Sequence, residues 1–214
     1  MRNLDKKVSS SLIVKERMDK YPKIEVVRKS GNEKFHVNGN PLLHSLLSFW
    51  QWSASDLVGN ALRGILAEYI VASAFGMAEG NRTEWDAYDI QTQEGIKVEV
   101  KSGAYIQSWL QKQLSTIQFS IRPTQGWDST NNTYSTEVVR QSDVYVFCLL
   151  KHTNQETIDP LNLDQWVFYV LATEKLNQDV GAQKTITLAR LKKLNPIITS
   201  YGELSTSIKQ AASK

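Results

Sequence analysis

Two unbroken apolar runs constrain the fold of this chain more than any other feature. They are VYVFCLL at residues 144–150 and QWVFYVLAT at residues 165–173. A strand that is apolar on both of its faces is typical of the centre of a sheet, where other elements cover it from both sides. The two runs therefore predict a sheet enclosed by helices, which is a mixed α/β layer fold.

Length and cysteine content limit the class of protein further. A chain of 214 residues holds one ample domain. Its only cysteine, Cys148, excludes an internal disulfide and a cysteine-rich zinc site. No apolar run has the length needed to cross a bilayer, and the first twenty residues lack the apolar stretch of a signal peptide. We therefore expect a cytoplasmic protein without a membrane partner.

Shorter patterns predict the elements around the two central strands. The predictions are a hairpin over residues 23–38, a short buried helix over 42–52, a helix from about 57 to 75 capped by Ser55 or Asp56, a hairpin over 88–102 turning at Glu94-Gly95, a helix over 104–114, a strand over 115–123, a loop over 124–136, and one strand with helical turns in the tail. We expect the apolar face of the 57–75 helix to contain Leu57, Ala61, Ile65, Ala72 and Phe75.

The hairpin over 88–102 gathers charged side chains on one face. If its turn centres on Glu94, Asp89 lies directly opposite Glu99 on the neighbouring strand. Lys101 lies two residues after Glu99 and therefore points to the same face, whereas the intervening valines point away. One face is then an ordinary strand surface, and the other holds an aspartate, a glutamate and a lysine.

This arrangement predicts a metal site. Two facing carboxylates repel one another unless a cation lies between them, and Mg²⁺ is commonly held by one or two carboxylates together with waters and phosphate oxygens. Lys101 could orient a metal-activated water or offset charge in a transition state. Glu68, an acidic residue within the apolar stripe of the preceding helix, could reach the same site. The alternative is a chance acid-x-lysine triplet on an exposed hairpin.

Charge is distributed unevenly along the chain. Residues 1–40 hold ten Lys and Arg against five Asp and Glu, and residues 175–214 hold seven against two. The net charge of the whole chain is only +3, so the middle is acidic. Basic flanks around an acidic centre suit a protein that attracts an anionic polymer and holds metal cations. The alternative is that the charges lie on solvated faces of unrelated helices.

Three runs together resemble a known family. They are RGILAEYIVASAFG, WDAYDI and GIKVEVKSGAYIQSW. The first is a helix with an acidic residue, the second a strand with an aspartate, and the third a strand with Glu-x-Lys, and in this order they resemble the PD-(D/E)xK nuclease superfamily. The resemblance covers residues 57–109, with 117–150 as the remaining core strands. It implies a restriction-endonuclease-like core, in which a mixed β-sheet is flanked by α-helices.

The resemblance also implies roles for individual residues. Carried over by position, Asp89 and Glu99 would be metal ligands, Lys101 the catalytic lysine and Glu68 the acidic residue of the helix. The carbonyl oxygen of Val100 would be an additional ligand. The implied organisation is one domain over residues 1–214, with an N-terminal extension (1–50), a catalytic core (51–175) and a C-terminal extension (176–214).

Two assignments stay open at this point. Tyr88, and not proline, precedes Asp89, which leaves Asp86 as a rival for the same role. We prefer Asp89 because Asp86 lies outside the register of the hairpin. Gln107 is either an accessory residue near the site, as in some related nucleases, or a solvated helix glutamine.

The function implied by the resemblance is Mg²⁺-dependent hydrolysis of phosphodiester bonds, usually in DNA, with Mn²⁺ able to substitute. We therefore expect an endonuclease that acts on double-stranded DNA in restriction, phage defence or repair. A homodimer is expected because cutting both strands generally requires two active sites. The alternatives are a nucleic-acid-binding protein of the same fold with weak or no cleavage, and a small-molecule-binding protein with a chance triplet.

Overall fold

The structure is a computed structural model that describes residues 24–82, 87–128 and 132–213. Its strands are β1 (Lys34–Val37), β2 (Asn40–Ser45), β3 (Ile90–Gln91), β4 (Lys97–Ala104), β5 (Gln118–Ser120), β6 (Thr124–Asp128), β7 (Thr133–Val139), β8 (Val144–Leu150), β9 (Trp166–Ala172), β10 (Thr185–Thr187) and β11 (Ile197–Thr199). Its helices are α1 (Leu46–Ser53), α2 (Asn60–Ala74), α3 (Thr173–Val180), α4 (Leu188–Lys193) and α5 (Leu204–Ala212).

A mixed five-stranded sheet forms the centre of the fold. Its strand order is β11-β9-β8-β4-β3. The pair β4–β8 is parallel, and the other three pairs are antiparallel. All seven residues of β8 are buried, which confirms that the run at 144–150 is a central strand covered on both faces. The predicted α/β class, with a mixed sheet and flanking helices, is confirmed.

Alternation along β8 explains why this strand is apolar throughout. Val144, Val146 and Cys148 pack on one face of the sheet, against side chains of α2 and α5. Tyr145 and Phe147 pack on the other face, against β5, β10, α3 and α4. A strand between two packed layers must bury the side chains on both of its faces, so the residues on neither face can be polar.

The long helix α2 lies on the sheet through a different face from the one we predicted. The helix runs over Asn60–Ala74, and its buried residues are Arg63, Ala67, Ile70 and Val71. Ile65, assigned to the buried stripe, is 42% exposed. The N-cap is Gly59, and Asp56 contributes by accepting a hydrogen bond from the Gly59 N–H at 2.8 Å. The prediction failed because it treated every apolar residue as inward-facing and left no place for a buried arginine.

Arg63 is tolerated inside because both terminal nitrogens of its guanidinium group are hydrogen-bonded, although its Nε has no partner among the described residues. It donates to the carbonyl oxygen of Val58 at 2.6 Å, to Asn60 Oδ1 at 2.7 Å and to Gln107 Oε1 at 3.2 Å. Burial lowers the pKa of Arg63, and the nearby Asp56 opposes that shift. These contacts join the start of α2 to the segment that follows β4.

The predictions for the first part of the chain were shifted along the sequence. The first hairpin pairs β1 with β2 around Asn38 and Gly39, both of which have positive φ. Residues 24–30 contain no strand. The following helix, α1, has no buried residue, so the prediction of a buried helix was wrong. Its apolar sequence does not pack into either hydrophobic core, and sequence alone could not show that.

Two polar segments also differ from their predictions. Residues 105–114 form no helix, because the side chain of Gln111 takes the place of helical hydrogen bonds: it accepts from the Gln107 N–H at 2.7 Å and donates to the Tyr105 carbonyl oxygen at 3.2 Å. Residues 124–128 and 133–139, most of which were predicted to be a loop, form a two-stranded ribbon of β6 and β7. Every residue of β7 is exposed, so the alternation that marks a half-buried strand is missing from its sequence.

The C-terminal segment completes the central sheet. Strand β11 pairs with the edge of β9, and α5 places Leu204, Ile208 and Ala211 in the core beneath α2. The domain boundaries predicted after residues 50 and 175 stay a prediction. In the part of the chain that the structure describes, no helix combines the length and the apolarity required to span a membrane.

Candidate active site

The hairpin of β3 and β4 has the register derived from the sequence. Ile90 pairs with Val98, and Gln91 pairs with Lys97. The Asp89 N–H donates to the carbonyl oxygen of Val98 at 3.1 Å, which continues the pairing by one residue toward Glu99. The turn includes Gly95 with φ of +87°, a value that favours glycine. The hairpin register is confirmed.

The two sides of β4 have opposite character, as the alternation requires. Val98 and Val100 are buried in the core beneath α2. Glu99 and Lys101 point to the other side, where they lie beside Tyr145 and Phe147, their partners on β8. Glu99 is therefore held at the margin of a packed apolar layer, next to an aromatic side chain.

The side chain of Asp89 is tied to the strand that carries Glu99. Its Oδ2 atom accepts a hydrogen bond from the Val100 N–H at 2.6 Å. Glu99 makes an ion pair with Lys101 and accepts a hydrogen bond from Ser142 Oγ at 3.3 Å. Asp89, Glu99 and Lys101 therefore converge on one site, as the hairpin register predicts.

Electrostatics at this site favour a cation. Burial, followed by repulsion from Glu99, raises the pKa of Asp89 to about 6. Lys101 and the Val100 N–H oppose the rise, and the charge of Glu68 adds to it. One lysine thus does not compensate two carboxylates in a partly buried position. An additional positive charge between them would lower the free energy of the ionised pair.

Glu68 lies on the other side of Asp89. It forms a bidentate ion pair with Arg82, at 2.5 Å to Nε and 3.1 Å to Nη2, and its side chain is only 15% exposed. Glu68, Arg82 and Asp89 all line a cavity of about 310 Å³ between α2 and β3. Glu68 therefore faces the hairpin site and not bulk solvent, although its position on the helix is not within the buried stripe.

Asp89 also lines a second and larger cavity, of about 570 Å³, that opens on the Glu99 side. The walls of this cavity are the carboxylate hairpin, β8 and the β6–β7 ribbon. Its lining residues are Ala87, Tyr88, Asp89, Glu99, Arg122, Thr124, Gln125, Trp127, Asn132, Tyr134, Gln141 and Tyr145. A polymer lying along this cavity would pass directly over the two carboxylates.

Comparison with known families shows to which family the chain belongs. The model of the bacteriophage T4 endonuclease IV family matches residues 15–209. The chain belongs to the bacteriophage T4 endonuclease IV family. A comparison with curated proteins finds no match. Membership of an endonuclease family means that the substrate is nucleic acid, and the matched region contains Glu68, Asp89, Glu99 and Lys101 together with the ribbon.

The donors in the site fit a hard metal ion. No cluster of three or more His, Cys, Asp and Glu side chains suited to a metal occurs within residues 24–82, 87–128 and 132–213. Mg²⁺ does not require such a cluster, because it usually retains several waters and binds through one or two carboxylates plus substrate phosphate oxygens. Asp89 and Glu99 are the two carboxylates in this site that could hold such an ion. The Val100 carbonyl oxygen as an additional ligand stays a prediction.

One candidate from the sequence, Gln107, does not join the carboxylates. Gln107 is buried, accepts from Arg63, and donates to the Ala104 carbonyl oxygen at 2.8 Å and to Ser115 Oγ at 3.3 Å. It lines neither of the two cavities next to Asp89. Its hydrogen bonds hold the segment after β4 in place. Asp86, the rival of Asp89, lies outside the described residues.

Sequence reasoning missed several residues of the site. Arg82 neutralises Glu68 from a position fourteen residues further along the chain. Tyr145 lies next to Glu99 on the parallel strand, and burial together with the charge of Glu99 raises the pKa of its phenol. The apolar run that contains Tyr145 gave no sign of a polar role. Tyr145 could have been found as the neighbour of Glu99 only if the parallel pairing of β4 with β8 had been known.

Proposed function

We propose that this protein is a Mg²⁺-dependent endonuclease of PD-(D/E)xK type that hydrolyses phosphodiester bonds in DNA. The observation that carries the proposal is the convergence of Asp89, Glu99 and Lys101 beside the larger cavity, in a chain that belongs to an endonuclease family. The raised pKa of Asp89 supports it, because perturbed carboxylates next to a cavity are characteristic of functional sites.

In the proposed mechanism, Asp89 and Glu99 would hold the metal. When bound, Mg²⁺ supplies Lewis acidity toward a phosphate oxygen and lowers the pKa of a coordinated water. The Val100 N–H and Ser142 Oγ keep the two carboxylates oriented. Lys101, already in contact with Glu99, offsets negative charge that develops on the phosphoryl oxygens.

The reaction consumes one water. The water oxygen attacks phosphorus, the bond from phosphorus to the 3′ oxygen breaks, and the 3′ oxygen takes up a proton. The products are a 5′-phosphate and a 3′-hydroxyl. Glu68 would act on this centre from the adjacent cavity, through its charge on Asp89 and through Arg82. A cytoplasmic role in restriction, phage defence or repair belongs to the same proposal.

The experiment is a cleavage assay on duplex DNA, single-stranded DNA and RNA, each with Mg²⁺, Mn²⁺ or chelator. We expect metal-dependent cleavage of DNA, and loss of at least about a hundredfold in rate for Glu99→Gln. The matched control is Glu156→Gln, which changes an exposed carboxylate in the loop before β9. Cleavage that persists in chelator, or an unchanged rate for Glu99→Gln, would overturn the proposal.

The same assay tests the proposed duplex substrate and homodimer. A dimer with one site per strand should convert supercoiled plasmid to linear product with little nicked intermediate. In sedimentation, its mass should be twice that of the single chain, which is 24.3 kDa. Accumulation of nicked circles by a monomer would contradict both. DNA binding by wild type without cleavage under any metal would support the alternative of a binding protein.

A further inference from the structure

We propose that the larger cavity beside Asp89 and Glu99 holds one nucleobase of the substrate strand, next to the phosphate that is cleaved. The β6–β7 ribbon would form the wall that contacts this base. The inference rests on the proposed nuclease function. It adds a binding subsite and assigns a role to a ribbon that makes no part of the central sheet.

Two aromatic side chains of the ribbon line the cavity together. Trp127 on β6 and Tyr134 on β7 are cross-strand partners, so their side chains project from the same face of the ribbon. Both line the cavity that contains Asp89 and Glu99. Aromatic side chains on a strand surface are the common platform for unstacked bases in nucleic-acid-binding proteins.

Amide side chains surround the aromatic pair. Gln125, Asn132 and Gln141 line the same cavity. An amide group donates and accepts hydrogen bonds in one plane, which matches the polar edge of a base. Gln141 is held against the ribbon: its Nε2 donates to the Thr124 carbonyl oxygen at 3.1 Å, and a side chain added at Gly126 would come within 3.1 Å of it.

The charge of this wall suits a base and not a phosphate. Among the lining residues that the structure describes, Arg122 is the single cation, and the rest of the ribbon side is neutral. A backbone phosphate would therefore find one positive partner there, whereas a neutral base would find aromatic and amide groups. The volume of about 570 Å³ lies within the range of about 300–1,000 Å³ typical of small-ligand pockets.

The ribbon is anchored firmly enough to form a preformed wall. At its base, the largely buried Arg140 donates to the Ile121 carbonyl oxygen at 2.9 Å, to Asn177 Oδ1 at 2.6 Å and to the Gln183 carbonyl oxygen at 3.1 Å. These bonds join the end of β7 to the residue after β5, to α3 and to the segment after α3. Trp127 and Asp89 line the same cavity, so a base between them would meet both walls at once.

A base in this cavity must leave its stacked neighbours. A regular duplex could not place one base between the ribbon and the carboxylates, so the nucleotide would be unpaired or turned out of the helix. The cleaved phosphate then lies next to the turned-out base. Base identity would be read at this position by the amides of Gln125, Asn132 and Gln141.

The test compares the affinities of protein variants for intact and abasic oligonucleotides, in the manner of a double-mutant cycle. Affinity is measured by fluorescence anisotropy, with Ca²⁺ in place of Mg²⁺, for oligonucleotides that contain one mapped cleavage site. A single abasic residue is moved through the positions on either side of this site. The variants are Trp127→Ala and Tyr134→Ala, with Trp127→Phe as the conservative change and Trp109→Ala, 57% exposed and outside both cavities, as the matched control.

We expect Trp127→Ala and Tyr134→Ala to weaken binding of the intact strand by about tenfold to a hundredfold, the range for losing one stacked base. With the abasic residue at one position next to the cleaved bond, the variants and wild type should bind equally. Trp127→Phe should retain most of the affinity, and Trp109→Ala should bind like wild type. Melting curves should show that all four variants fold.

Three outcomes would overturn the inference. They are an equal loss for Trp127→Ala on intact and abasic strands at every position, an unchanged affinity in both alanine variants, and an absence of oligonucleotide binding by wild type. Failure of the proposed nuclease function is seen separately, as wild type that binds oligonucleotides but does not cleave them with Mg²⁺ or Mn²⁺. In that case the abasic residue is moved through every position of a bound oligonucleotide, and the base pocket is shown by one position at which Trp127→Ala and wild type bind equally.

Discussion

The backbone N–H of Val100 donates a hydrogen bond to the carboxylate of Asp89, at 2.6 Å. This bond links the end of one strand of the hairpin to the strand that carries Glu99 and Lys101. It stabilises the ionised form of Asp89 in a place where burial and Glu99 oppose ionisation. The hairpin thereby holds a carboxyl group that is about half protonated at pH 6 and that a bound cation would shift toward its ionised form.

Lys101→Ala should reduce turnover by about a hundredfold or more, the scale for losing one preorganised electrostatic group. Folding, metal affinity and DNA affinity should change little, because the lysine is proposed to act on charge that appears only in the transition state. Lys101→Arg should not restore the full rate, since a planar guanidinium does not replace a compact ammonium. Single-turnover kinetics at saturating Mg²⁺ measure the effect.

The control for that prediction is Lys151→Ala, which removes an exposed lysine just after β8. Full activity of Lys101→Ala at saturating Mg²⁺ would falsify the catalytic assignment. The lysine would then serve only to screen Glu99, with which it forms an ion pair.

Glu68→Gln should weaken activity by about tenfold and raise the Mg²⁺ concentration needed for half-maximal rate, while the protein stays folded. The physical reason is that Glu68 faces the cavity that contains Asp89 and contributes to the local negative charge. A metal titration of the cleavage rate measures the shift. Glu79→Gln is the matched control, because that side chain is 94% exposed. A silent Glu68→Gln would show that this carboxylate only pairs with Arg82.

Asp89→Asn should stabilise the metal-free protein at pH 7.5 and should do so much less at pH 4.5. The pKa of Asp89 is about 6 in the folded protein and 3.8 as the ordinary value. The folded protein therefore retains a proton that the unfolded chain releases between these pH values, so wild-type stability falls as the pH rises through this window. The gain at pH 7.5 should be on the order of 2 kcal/mol.

Denaturant unfolding in chelator at the two pH values measures this difference. Asp164→Asn, an exposed carboxylate before β9, should show the same difference from wild type at both pH values. With saturating Mg²⁺ at pH 7.5, wild type should become more stable than Asp89→Asn, because only wild type then gains the free energy of metal binding. A gain for Asp89→Asn that is independent of pH would contradict the assigned pKa.

Removal of residues 1–20 should flatten the salt dependence of DNA binding. These residues hold six Lys and Arg against three Asp and Glu. Each phosphate that the truncated protein no longer neutralises should reduce the slope of log affinity against log salt by about 0.9 on duplex DNA. Lys6→Gln with Lys7→Gln should produce part of the change, whereas Lys151→Gln should produce none. An identical slope in the truncated protein would mean that these basic residues do not contact the phosphate backbone.

The hairpin of the site could be predicted because its determinants are local. Alternation of side chains along a strand, together with a turn at Gly95, determines that Asp89 meets Glu99 and that Lys101 shares their face. No distant part of the chain is needed for that result. Glu68 could also be selected from the sequence as a site residue. The helix face predicted for it was wrong, because the buried face of the helix is the one that contains Ala67 and Ile70.

The ribbon could not be predicted, because nothing in its own sequence distinguishes it from a polar loop. Its strands pair with each other and β7 buries none of its residues, so the binary pattern that identifies half-buried strands is absent from β7. The helix predicted over 104–114 failed for a related reason. Side-chain hydrogen bonds from Gln111 replaced the backbone bonds on which a helix depends.

Local periodicity is sufficient to predict the two central strands, the α/β class and the register that brings Asp89, Glu99 and Lys101 together, because each depends on neighbouring residues. The folded chain adds three relationships that no local pattern predicts: Tyr145 lies beside Glu99, Arg82 pairs with Glu68, and Trp127 and Tyr134 line the cavity that contains the two carboxylates. Those relationships join residues of separate elements, and they depend on the parallel pairing of β4 with β8 and on how the ribbon is anchored, neither of which leaves a periodic signal in the chain.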